Sequence, residues 1–157
     1  MIVNPKKLLW PTDFSELSLK GGRYARGLRE HFNAELHIIH VTVPVMTPDY
    51  AAMLPASLPA STTDAETIDA CRKSVLEIVT RHFDGQAGIV TDVFPGTPWS
   101  AICDYAQREL IELIVVATHG RTGLKHALIG STAERIVRHA PCPVLTVKIA
   151  ETDFVSE

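Results

Sequence analysis

Between Leu113 and Thr118 the chain reads L-I-V-V-A-T, apolar on successive residues rather than on alternate ones. That is the pattern of a strand covered on both faces, which an α/β fold with a parallel sheet provides. The rest of the chain agrees. Lys7 to Thr12, Glu35 to Val43, Gly88 to Phe94 and Val144 to Val147 read as further strands. Helices are expected between them. Leu17, Gly21, Tyr24, Leu28 and Phe32 recur at steps of three and four residues, predicting a helix over Ser15 to Phe32. Asp13 or Ser15 can cap its start. Gly21 and Gly22 inside it either admit close helix–sheet packing or mark a weak turn. Thr63-Asp64-Ala65-Glu66 has capping-box spacing and opens a second helix to about Phe83. Pro98 suits the first turn of a third helix to about Leu110, and Ser131 to His139 reads as a fourth. Strands alternating with helices imply right-handed βαβ units.

The 157 residues predict one domain over 1–150, with 151–157 as a polar, frayed tail. Pro44, Pro48, Pro55 and Pro59 preclude a long regular helix between Pro44 and Thr62. Residues 44–62 are therefore expected to form a mobile surface excursion: a lid, a partner surface or spare linker. A net charge of −3 gives no general basic field, so nucleic acid is not an expected partner. No apolar run approaches the length of a membrane span, and the N-terminal residues lack a signal peptide's core. A cytoplasmic protein is expected. Cys71, Cys103 and Cys142 lack C-x-x-C spacing and read as reduced, mostly packed thiols.

In an open parallel sheet, ligands bind beyond the carboxyl ends of the strands, where chain order reverses. With the first strand beside the fourth, Pro11-Thr12-Asp13 meets the segment from Thr118 to Thr132 at one crevice. That segment carries Gly120 and Gly130 and leads into the Ser131-Thr132 start of a helix. Unpaired N–H groups at a helix N-terminus favour anions, and glycine permits close approach and positive φ. Gly120, Gly130, Ser131 and Thr132 are thus candidates to hold phosphates. Asp13 is a candidate acceptor for a base amine or ribose hydroxyl, and Val41 for an apolar wall against a base. Arg121, Lys125 and His126 either screen phosphate or are simply solvated. His119 has no orienting acid or nucleophile implied beside it, so no catalytic residue is assigned. G-x-x-x-x-G-K-[ST] and G-x-G-x-x-G are both missing, which excludes a P-loop and a Rossmann fingerprint. His37-Ile38-Ile39-His40 only superficially resembles an adenylyl-transfer motif; it lies inside a strand and lacks the glycine. The histidines show no metal-ligand spacing.

Three segments together resemble the universal stress protein family: W-P-T-D-F-S (Trp10 to Ser15), H-G-R-T-G-L (His119 to Leu124), and G-S-T-A-E-R-I-V-R-H-A-P-C-P-V-L-T-V (Gly130 to Val147). The resemblance extends from Leu8 to Val147. It implies a five-stranded parallel sheet in the order 3-2-1-4-5 with about four helices on both faces. It also implies a homodimer paired through Val144 to Val147. One branch of the family binds ATP through G-x-x-G-x(9)-G-[ST]; here the pattern is Ala117-x-x-Gly120-x(9)-Gly130-Ser131, with alanine at the first glycine. A methyl group there is tolerable if φ is negative, and obstructive if the site needs positive φ or very close approach. On this resemblance the nucleotide-contacting set is Pro11, Thr12, Asp13, Val41, Val116, Ala117, His119, Gly120, Arg121, Gly130, Ser131 and Thr132, with Mg²⁺ only as a phosphate counter-ion. Trp10 stands where a smaller aliphatic residue is usual, and either packs into the core or narrows the adenine pocket. The implied function is an ATP-binding stress sensor or regulator acting through an unidentified partner. The alternatives are a nucleotide-free interaction module of the same fold and, third, a slow ATPase.

Overall fold

The computed structural model describes residues 3–43, 64–83, 87–118 and 130–148. The excursion expected over 44–62, the tail from 151, and the loop residues Lys125 and His126 lie outside them.

The elements run β1 (Lys7–Pro11), α1 (Glu16–Phe32), β2 (Glu35–Thr42), α2 (Asp64–His82), β3 (Ile89–Pro95), α3 (Pro98–Arg108), β4 (Leu113–Ala117), α4 (Ser131–His139) and β5 (Val144–Val147). The strands form one parallel sheet in the order β3-β2-β1-β4-β5. This is the expected α/β fold.

Successive side chains of a strand point to opposite faces, and both faces are covered. On one side Leu8 and Trp10 of β1, Leu36 and Ile38 of β2 and Val115 of β4 pack with Ala25 of α1 and Val75 of α2. On the other, Leu9, Ile39, Val41, Ile114 and Val116 pack with Ile102, Tyr105 and Ala106 of α3 and Ile136 of α4. Leu8, Leu9, Leu36, Ile38, Ile39, Ile114 and Val115 are wholly buried. The central strands therefore show no polar–apolar alternation. Their burial on two sides explains the continuous apolar runs.

Gly21 and Gly22 do not mark a weak turn, because α1 passes through them unbroken. They let α1 approach β1 and β4. A Cβ on Gly21 would lie 3.5 Å from both the Ala117 backbone nitrogen and Trp10 Nε1. Trp10 is 1% exposed; its Nε1 donates to the Ser18 carbonyl at 3.2 Å, and its ring meets Phe83 with centroids 5.9 Å apart. Of its two expected placements, the core is the one it takes. All three cysteines are unpaired thiols; Cys103 is buried, and Cys71 and Cys142 are half-buried. Among the described residues, no helix is long and apolar enough to cross a membrane.

Candidate functional site

Chain order reverses between β1 and β4: β1 is followed by β2 on one side, while β4 and β5 extend the sheet on the other. Beyond the carboxyl ends of these strands lies a cavity of about 640 Å³, within the size range of small-molecule sites. Nine of the twelve candidate residues line it: Pro11, Thr12, Asp13, Val41, Val116, Ala117, Gly130, Ser131 and Thr132. The other three, His119, Gly120 and Arg121, lie outside the described residues.

The β1–α1 turn is built by short-range polar contacts. Thr12 N–H donates to the Ile39 carbonyl at 2.9 Å, continuing the β1–β2 ladder by one residue. Thr12 Oγ1 accepts from Phe14 N–H and from Ser18 Oγ, each at 3.1 Å. Phe14 is left-handed at φ 65°, a conformation that a bulky residue rarely adopts and that costs about 1 kcal/mol or more. Asp13 Oδ1 accepts from Ser15 N–H at 3.0 Å and from Ser15 Oγ at 2.6 Å. Ser15 Oγ in turn accepts from Ser18 N–H at 3.1 Å, so Ser15 is the N-cap and Asp13 orders the cap. From β2, His40 Nδ1 donates to the Thr12 carbonyl at 2.7 Å.

The opposite wall is β4 and the start of α4. Gly130 N–H donates to the Thr118 carbonyl, and Gly130 is the N-cap, its carbonyl accepting from Glu134 N–H at 2.9 Å. Glycine has no side chain with which to cap. The first-turn amides of Ser131, Thr132 and Ala133 have no acceptor within the helix itself, and all three residues line the cavity. Gly130 has φ −67° and ψ 150°. Of the two freedoms glycine permits, Gly130 does not use positive φ; what it gives here is an uncovered approach to the helix end.

Ala117 closes β4 opposite Val147 and is not among the positive-φ residues. Its methyl carbon lies 3.8 Å from where a Cβ on Gly21 would sit, so it faces α1. The second half of the lining was not foreseen: Ser18, His40, Thr42, Val43, Thr67, Cys71, Pro98, Ile102, Ala133 and Ile136. Alternation along β2 turns His40 and Val41 to opposite faces, but β2 is buried on both, so its sequence pattern does not mark His40 as a lining residue.

A second polar cluster, buried at His37 and Tyr105 and open to solvent at Glu35, lies apart from the cavity lining. His37 Nδ1 is 2.8 Å from Tyr105 Oη, and His37 Nε2 is 2.8 Å from Glu35 Oε1. The His37 hydrogen bond is the main influence holding the Glu35 carboxyl below its ordinary range, aided by Lys7 and opposed by partial burial. Burial, reinforced by the Glu109 carboxylate, pushes the Tyr105 phenol up to about 12.

A doubly wound parallel α/β domain with a ligand-sized cavity at its switch point and an open helix end on the cavity wall defines the class. The chain belongs to the universal stress protein family, whose model matches residues 4–148. It is 32% identical over 143 residues to universal stress protein MJ0531 of Methanocaldococcus jannaschii, covering 91% of this chain and 82% of that one. The solved universal stress protein UspA from Lactobacillus plantarum is similar at TM-score 0.74 and 25% identity, over 93% of this chain and 99% of that one. A universal stress protein solved in complex with cAMP shares the fold at TM-score 0.67 and 22% identity, over 94% and 100% of the two chains.

Proposed function

We propose that this universal stress protein binds an adenine nucleotide, ATP, in the switch-point cavity and serves as a cytoplasmic sensor or regulator rather than a catalyst. The observation that carries this is the convergence of Asp13, an apolar wall and the uncapped N-terminus of α4 on one cavity. The base lies against Val41, Val116 and Ile102, apolar side chains of β2, β4 and α3. Asp13 accepts from a ribose hydroxyl or the base amine. The phosphates meet the amides of Ser131 and Thr132, where the helix end carries partial positive charge. Mg²⁺ enters only as counter-ion to those phosphates. A relative's complex with cAMP supports the adenine nucleotide as ligand class.

Two residues favour the nucleotide-free reading on sequence grounds, Trp10 and Ala117. Trp10 is enclosed in the core and Ala117 turns its methyl toward α1, so neither argues against a ligand. No P-loop lysine is present in the sequence, which puts ATP hydrolysis at most at a slow rate. A thermal-shift comparison tests the ligand: ATP at saturating concentration raises the unfolding temperature, and an unchanged transition contradicts the proposal.

The proposed assembly is a homodimer joined at β5. This strand pairs with β4 and ends the sheet, and Leu145 on it is 36% exposed. Edge-to-edge pairing with a second copy covers that open edge. Light scattering on a sizing column tests it: the mass is twice that of the 17.2 kDa chain, and a monomer at all concentrations contradicts it.

A further inference from the structure

His40 was not among the residues expected at the site, yet it lines the cavity and is only 8% exposed. Its Nδ1 is 2.7 Å from the Thr12 carbonyl oxygen. A carbonyl only accepts, so this nitrogen carries the proton in either charge state of the ring. The ring also lies against Phe14, with centroids 4.3 Å apart. Phe14 holds the left-handed backbone of the turn. The two contacts bracket Asp13: one fixes the residue before it, the other the residue after it. Both reach across from β2, whose Ile39 carbonyl also accepts from Thr12 N–H, whereas the bonds between Thr12, Asp13, Ser15 and Ser18 are internal to the turn.

We propose that His40 is a positioning residue of the cavity: through Nδ1–H on Thr12 and its ring on Phe14, it holds the β1–α1 turn in the shape that presents Asp13. The assignment rests on the nucleotide reading of the cavity for its effect on affinity, but not for its effect on the turn. It requires a donor at the δ position of residue 40. Asparagine places an amide N–H₂ there, whereas glutamine carries its donor one bond further out and leucine has none.

The test has two arms on the full chain. In the ligand-free protein, amide hydrogen exchange at Phe14 and Ser15 quickens in His40→Leu and His40→Gln and stays near wild type in His40→Asn. In ATP titrations, His40→Leu and His40→Gln weaken binding about tenfold, while His40→Asn stays within about twofold. In an Asp13→Asn background the same His40→Leu change costs little more, because the group it positions is already altered. Unchanged exchange in both His40→Leu and His40→Gln overturns the assignment, as does full additivity of His40→Leu with Asp13→Asn. If the wild type does not bind ATP, the nucleotide reading fails, and the exchange arm still decides what His40 does. Should His40→Leu not fold, His40→Gln carries the comparison.

Discussion

The indole of Trp10 occupies the space that a side chain on Gly22 would need: a Cβ built there would lie 2.6 Å from Cη2 and 2.7 Å from Cζ2. Trp10 cannot give way cheaply, being 1% exposed and tied through Nε1 to the Ser18 carbonyl. The large ring and the missing side chain are two halves of one contact between β1 and α1.

Gly22→Ala is therefore expected to destabilise the protein. The better helix propensity of alanine is worth about 1 kcal/mol, against about 1–3 kcal/mol for overpacking. Gly27, on the same helix, has nothing within 4 Å of a built Cβ. Gly27→Ala should instead stabilise by about 0.5–1 kcal/mol. Urea unfolding of the two variants checks the pair; a stabilising Gly22→Ala contradicts the packing account.

Gly130 is the cap of α4 at φ −67° and ψ 150°, a region open to any residue. Gly130→Val should therefore keep the fold, with an unchanged far-ultraviolet spectrum. It should weaken ATP binding more than about tenfold, because the new side chain covers the helix end. Equal affinity in the variant separates the phosphates from α4.

Ser15 Oγ donates to Asp13 and accepts from Ser18 N–H. Ser15→Ala is expected to cost about 1 kcal/mol of stability through loss of the cap. Threonine keeps the hydroxyl, so Ser15→Thr should retain most of it. Thermal unfolding distinguishes them.

Tyr105 and Glu35 make opposite contributions to the pH profile of stability. The Tyr105 phenol is pushed from 10.0 up to about 12. Between those values the unfolded chain loses the proton first, so stability falls as pH rises through that window. Glu35 is held below its ordinary range. On acidification the unfolded chain takes up the proton first, so stability falls as pH drops from the ordinary carboxylate range through the folded value. Absorbance at alkaline pH should show that, of the three tyrosines in the chain, the one at 105 ionises late. Tyr105→Phe should remove that late step, and Glu35→Gln should flatten the acid limb. A single early tyrosine titration contradicts the buried phenol.

The strands and helices were legible almost to the residue because each had a local cause: Pro98 opening α3, capping residues at Ser15, and apolar runs ending at prolines and glycines. The α4 wall of the cavity was legible for the same reason, since Gly130, Ser131 and Thr132 are adjacent in sequence. The α1–α2 side was not. His40, Thr67 and Cys71 come from two elements far apart in the chain, and β2 is buried on both faces, so its pattern does not say which side chain faces which neighbour. Gly21 and Gly22 read as a pair that admits close packing or a weak turn, and Trp10 as a separate residue of β1. Their meaning lies in a contact between strand and helix, which spacing along one helix does not reveal.

The most direct test of the central claim is an equilibrium calorimetric titration of the purified wild-type protein with ATP, with and without Mg²⁺. Saturable binding with a dissociation constant below about 1 mM, weakened by Asp13→Ala and by Gly130→Val, is the predicted result. No saturable heat up to millimolar ATP, together with an unchanged unfolding temperature, contradicts it.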